Sequence, residues 1–141
     1  MKLEAYVTVN FDGSIRDGEV AIAIVVRKSG EPDTARIMIY GYMHLSYYKA
    51  QAIAAVKMMQ LMKKPVDLDV TVSDWYMYNI MTGQAKPKKH KEEWAEYDRM
   101  ASNMISVRVN MDENHIYKYS SLVKTQKGGY HMCNLKKENA I

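Results

Sequence analysis

Apolar and polar positions alternate from Leu3 to Asn10, and the stretch is rich in β-formers (Tyr6, Val7, Thr8, Val9). That pattern predicts a strand. It runs directly into Asn10-Phe11-Asp12-Gly13-Ser14 and a short polar turn, Ile15 to Gly18. Val20 to Arg27 is a dense β-branched run closed by Ser29-Gly30-Glu31-Pro32-Asp33, and Arg36 to Met43 reads as a third strand. Three strands joined by short turns predict an antiparallel meander. The period then changes. From Tyr47 to Lys63 there is neither Gly nor Pro, Ser46 stands as an N-cap, and Ala50, Ile53, Ala54, Met58 and Leu61 line one face. This is a helix, apolar around most of its circumference and so expected to be buried on a sheet.

Asp67 to Ser73 is a fourth strand with Leu68, Val70 and Val72 on one face. Trp75 to Met81 is a short helix stopped at Gly83, Gln84 to Lys91 a basic connector, and Glu92 to Met104 a helix with Trp94, Tyr97, Met100 and Ala101 at helical spacing. Ile105 to Val109 alternates as a fifth strand. Asp112 caps a last expected helix to about Gln126, and Gly128-Gly129 stops it. The order predicts an α/β fold: a mixed five-stranded sheet, three antiparallel strands then two crossover-linked ones, with helices on both faces. One domain over residues 1–126 is expected, with a polar C-terminal tail, 127–141, that is poorly ordered.

Composition narrows the setting. The 141 residues suit one domain with a real core. The single cysteine, Cys133, excludes an internal disulfide framework and a cysteine zinc site. No run reaches transmembrane length and no signal-peptide core opens the chain, so an intracellular, cytoplasmic setting without a membrane partner is expected. A net charge of +4 permits a nucleic-acid partner without demanding one. The methionine count, 12, is high, and Met58, Met59 and Met62 fit adaptable core filling.

The candidate chemistry rests on acids at strand positions. Asp12 sits on the first strand and Asp74 at the end of the fourth, and Gln51 lies one turn into the long helix. Asp-Gly is also a common turn signal. Clustered carboxylates on rigid elements hold two Mg²⁺ ions about 4 Å apart for attack on a phosphodiester, and Mg²⁺ needs few protein carboxylates because it retains waters. Lys86, Lys88, Lys89, His90 and Lys91 form the densest basic cluster. It is either a phosphate-binding segment or a solvated loop balanced by Glu92, Glu93 and Glu96. His44 and His90 lack metal-ligand spacing, which argues against zinc. Of Tyr47, Tyr48, Trp75, Tyr76 and Tyr78, most are expected in the core, with one or two able to stack on bases.

In this element order the chain resembles the ribonuclease H family over almost all of residues 1–126. Phe11-Asp12-Gly13-Ser14 looks like the family's first-strand motif with its metal-binding aspartate. Ser46 to Ala55 is similar to the segment entering its long helix, and Val72-Ser73-Asp74 to the segment carrying its third acid. Trp94 is placed like an aromatic in the helix before the fifth strand. The resemblance implies a metal pair on Asp12 and Asp74, with Mg²⁺ or Mn²⁺ if the site is competent. It implies a catalytic set of Asp12, Gln51, Asp74 and Asp112, and RNA/DNA hybrid contacts at Lys86, Lys88, Lys89 and Lys91.

The departures point the other way. Gln51 is neutral where the family has a glutamate, and Asn114 is followed four residues later by Lys118 where the family has an aspartate. Asp112 or Glu113 could substitute in a shifted register. The glycine-rich loop after the first motif is reduced to Ile15 to Glu19. One charge at about 4 Å and an effective dielectric of about 20 is worth roughly 4 kcal/mol, enough to remove most activity. The leading expectation is therefore a ribonuclease H-like protein that binds RNA/DNA hybrid or structured RNA with impaired or lost nuclease activity. The alternatives are an active divalent-metal-dependent endonuclease, or a protein-interaction module on the same fold. Protein partners are open, and the sequence does not speak to oligomeric state.

Overall fold

The computed structural model describes residues 1–113. The elements in order are β1 (Lys2–Ser14), β2 (Asp17–Lys28), β3 (Glu31–Leu45), α1 (Tyr47–Gln60), β4 (Asp67–Val72), α2 (Trp75–Met81), α3 (Lys91–Ser102) and β5 (Ser106–Met111). The sheet order is β3-β2-β1-β4-β5. β1 pairs antiparallel with β2, and β2 with β3, while β4 pairs parallel with β1 and β5 parallel with β4. This is the mixed sheet the sequence predicts. Of the helix expected over residues 112–126, only Asp112 and Glu113 are described; the remainder and the 127–141 tail lie outside the described residues. No helix among the described residues is long and apolar enough to cross a membrane.

The main differences from expectation are at element ends. The first hairpin is longer than its composition suggests. Asp12 pairs with Glu19, Gly13 with Gly18 and Ser14 with Asp17, so the expected four-residue turn shrinks to Ile15-Arg16. Glycine makes this possible. Gly13 has φ 136°, and a Cβ there would lie 2.8 Å from the Asp17 carbonyl oxygen. A Cβ on Gly18 would lie 2.5 Å from the tip of the Phe11 ring. Asp12 thus sits inside a paired ribbon rather than at a strand end. At the other end of the hairpin system, β3 begins at Glu31 rather than Arg36, extending the ladder to the Lys28–Glu31 pair.

Ser46 caps α1 as expected, its hydroxyl accepting from the Lys49 N–H. The helix closes at Gln60, three residues early, because the Leu61 and Met62 N–H groups turn to the Met58 and Met59 carbonyls. Such tightened i−3 bonds end helices. Ala50, Ala52, Ala54 and Ala55 are fully buried and let α1 approach the sheet closely. All three described helices join one apolar cluster, α2 through Met77 and Ile80 and α3 through Trp94 and Tyr97. Ala5, Val7, Val20, Ile22 and Ile24 supply the sheet's side of it. Ala21, Ala23 and Ile39 form a separate buried patch, on the other face by strand alternation.

Gly18 is the backbone position on which Phe11 depends. Gly18→Ala is expected to destabilise the fold by about 1–3 kcal/mol, the range for forced overpacking. Urea unfolding checks this against Gly30→Ala, where a Cβ meets open space and only the left-handed backbone (φ 75°) is penalised.

Candidate nucleic-acid interface and acid site

β4 and β5 run parallel and end together, Val72 opposite Met111. The Asp112 N–H donates to the Val72 carbonyl (2.9 Å), which sets Asp112 beside the start of the Ser73-Asp74 segment. The crevice beyond the carboxyl ends of such strands is where open α/β sheets bind ligands. Glu113 is tied there as well, accepting from Trp75 Nε1 at 2.9 Å.

Asp74 is the most constrained acid of the region. It is the N-cap of α2, in extended conformation (φ −120°, ψ 126°). Its Oδ1 accepts from the backbone N–H groups of Tyr76 (2.8 Å) and Met77 (3.2 Å), and its Oδ2 accepts from the Tyr47 hydroxyl. Burial pushes its carboxyl above the ordinary aspartate value, and the two backbone donors pull against that shift without reversing it. Tyr47 is held in turn by edge-to-face contacts with Phe11 (centroids 5.5 Å apart) and Tyr48 (5.4 Å), and Tyr48 packs on Tyr76 at 4.8 Å. An aromatic chain therefore runs from β1 to α2 across the first turn of α1.

Asp12 is exposed and stands further along its strand. Val7 is level with Val72, where the β1–β4 ladder ends. Asp12 lies five residues beyond Val7, in the part of β1 that pairs with β2 alone. Strand alternation also turns Asp12 away from the face on which Phe11 meets Tyr47. Gln51, one turn after Tyr47, is 1 % exposed, and its Oε1 has no hydrogen-bond partner among the described residues. Among the described residues no group of three or more His, Cys, Asp or Glu side chains could hold a metal ion. The donors present are an exposed carboxylate, one already accepting three hydrogen bonds, and a neutral amide. They do not by themselves make a two-metal centre. Asn114 and Lys118 lie outside the described residues.

The basic segment is brought to the same region. Lys86, Lys88 and Lys89 are exposed and rim a concavity of about 470 Å³ whose wall is Tyr48, Tyr76 and Ile80. Lys91 opens α3 instead of closing the connector. His90 precedes it in left-handed conformation (φ 56°), and burial lowers its pKa, so the imidazole is neutral at physiological pH and adds no charge to the lysines. That Tyr48 and Tyr76 line one concavity with the lysines was not legible from spacing. The signal for it is an aromatic three residues before the buried Gln51 on α1 and another two residues after the capping Asp74 on α2.

The architecture has known counterparts. Ribonuclease H1 from the halophilic archaeon Halobacterium salinarum NRC-1 superposes with a TM-score of 0.70 at 8 % identity, covering 87 % of this chain and 94 % of that one. LC9 RNase H1, a type 1 enzyme with the type 2 active-site motif, gives 0.74 at 10 % identity over 95 % and 75 % of the two chains. LC11 RNase H1 in complex with an RNA/DNA hybrid gives 0.66 at 12 % identity over 90 % and 94 %. No protein-family model matches the sequence, and no curated protein does. The chain has the ribonuclease H-like fold. At these identities the likeness is one of fold.

Two outcomes test the local chemistry. Asn caps helices as well as Asp, so Asp74→Asn keeps α2 capped, whereas Asp74→Ala is expected to be about 1 kcal/mol less stable than Asp74→Asn. The raised carboxyl pKa means the folded protein binds the Asp74 proton more tightly than the unfolded chain. That contribution is present at low pH and is lost as pH rises through the folded-state pKa. Wild type should therefore gain on Asp74→Asn as pH falls from 7 toward 4, which paired urea titrations read directly. Gln51→Leu removes a buried acceptor without a partner and is expected to stabilise the fold by about 1 kcal/mol, measured by thermal unfolding.

Proposed function

We propose that this protein binds nucleic acid, as RNA/DNA hybrid or structured RNA, and that its capacity for phosphodiester hydrolysis is impaired or lost. The observation that carries the binding half is the concavity in which Lys86, Lys88 and Lys89 rim Tyr48 and Tyr76, next to the strand ends. Lysines neutralise phosphates and release counterions, while tyrosine faces stack on exposed bases or riboses. Recognition of this kind follows backbone shape and 2′-hydroxyls more than sequence. Lys91 extends the same basic stretch. The hybrid bound by LC11 RNase H1 on this fold supports the choice of ligand.

The hydrolytic half follows from the acids. In this reading Asp12 and Asp74 descend from metal-binding positions, Gln51 takes the place of a carboxylate, and Asp112 stands at the adjoining strand end. The neutral Gln51 removes one negative charge from any metal pair, and the Tyr47 hydroxyl already occupies Asp74 Oδ2. Asp74 therefore serves as a helix cap and a tyrosine acceptor, which competes with coordination of Mg²⁺ or Mn²⁺.

The test is a fluorescence-anisotropy titration of a labelled hybrid at several salt concentrations. Binding should weaken with salt, and a Lys86→Gln/Lys88→Gln/Lys89→Gln variant should shed about two to three units of the log–log salt slope. No detectable binding at low salt would sink the proposal. In a parallel assay with Mn²⁺, little or no hybrid cleavage is expected. Robust cleavage abolished by Asp12→Asn would instead establish an active nuclease.

A further inference from the structure

A second concavity lies at the opposite pole of the sheet, where β1 starts, β2 ends and α1 terminates. Its volume is about 600 Å³, within the range of small-molecule sites. From Leu3, on its wall, nine residues of β1 lead to Asp12, about 30 Å at strand rise. It is therefore remote from the acids and from the lysines of the connector.

Its lining divides cleanly by chemistry. Leu3, Val26, Met38, Leu61, Met62 and Val66 form an apolar floor between the sheet and the end of α1. All but Val66 are only partly covered, so the floor presents apolar surface to solvent. Lys28, Arg36, Lys63 and Lys64 stand exposed around the mouth, against one acid, Asp33. Among the described residues no carboxylate pairs with Lys28, Lys63 or Lys64. Arg27 also touches the cleft, but the Glu4 carboxylate neutralises it (2.7 Å), whereas Arg36 donates to the Thr34 and Ala35 carbonyls, which leave its charge uncompensated.

We propose that this cleft binds a small amphipathic anion: an apolar chain or ring lying on the methionine and leucine floor, with a single carboxylate or phosphate head held by Lys28, Arg36, Lys63 and Lys64. The apolar floor excludes a bare inorganic anion as the natural occupant, because the anion would leave that floor in water. The four rim cations disfavour a neutral or cationic body. Two methionines in the floor supply side chains that readjust to ligands of different shape.

The experiment is a calorimetric titration of the full chain with monomeric decanoate and decyl phosphate, with inorganic phosphate and neutral decyl glucoside as controls. Both anionic amphiphiles are expected to bind one to one, and both controls at least about tenfold more weakly. Amide shifts on adding decanoate should cluster at Leu3, Val26, Met38 and Leu61. The exposed double variant Lys28→Glu/Lys64→Glu should lose about tenfold or more in affinity while leaving hybrid binding unchanged. Met62→Trp, which fills the cleft without altering charge, should block decanoate. The proposal is overturned by no binding up to about 1 mM, by equal affinity for decyl glucoside, by full affinity in both variants, or by shifts at the Asp74 pole. It is equally overturned if anionic vesicles bind where monomeric decanoate and decyl phosphate do not, which would make the basic rim a lipid-surface contact.

Discussion

The Asp74 carboxylate ties together three elements at the carboxyl end of β4. One side chain, two residues past β4, caps α2 through two backbone donors and receives the Tyr47 hydroxyl from the first turn of α1. Through the Tyr47 ring it is coupled to Phe11 and hence to the β1–β2 ribbon. A partly buried carboxylate tolerates this position because donors surround it, although burial still raises its pKa. The same bonds that hold the strand ends together leave the carboxylate little capacity for a cation. Local stability and metal chemistry compete for one set of lone pairs.

The positive charge of the chain is not spread evenly. One group of lysines edges an aromatic wall beside the strand ends, and another edges an apolar cleft about the length of β1 away. The partner surfaces differ accordingly. Flat aromatic faces with lysines suit a polyanion with stackable groups, whereas an apolar floor with a cationic mouth suits a compact amphiphile. The net charge of +4 describes neither surface by itself.

Much of the fold is legible in the sequence. The alternation in Leu3 to Asn10, the Gly- and Pro-free run from Tyr47 and the Ser46 cap each rest on local physics, and each element stands where expected. The misplaced ends have nonlocal causes. The longer first hairpin depends on Gly13 and Gly18 meeting across the ladder, and turn statistics read the same glycines as loop. The early end of α1 comes from bonding at Met58 and Met59 that helix propensity does not forecast. At the candidate site, the sequence singled out Asp12, Gln51, Asp74 and the lysines as chemically notable. It could not place Asp12 in the β1–β2 ribbon beyond the β1–β4 ladder, because strand register depends on pairing between distant segments.

The sequence by itself determined the element types, their order and the mixed character of the sheet, since periodicity, capping and crossover length act over neighbouring residues. It also determined that Gln51 brings no charge to the region. Only the tertiary structure decided what Asp74 is bonded to, that Tyr48 and Tyr76 share a concavity with the lysine segment, and that Lys28, Arg36, Lys63 and Lys64 gather around one cleft. Those facts depend on side chains brought together from separate strands and helices. A carboxylate's role follows from the donors around it, and those donors are supplied by the fold.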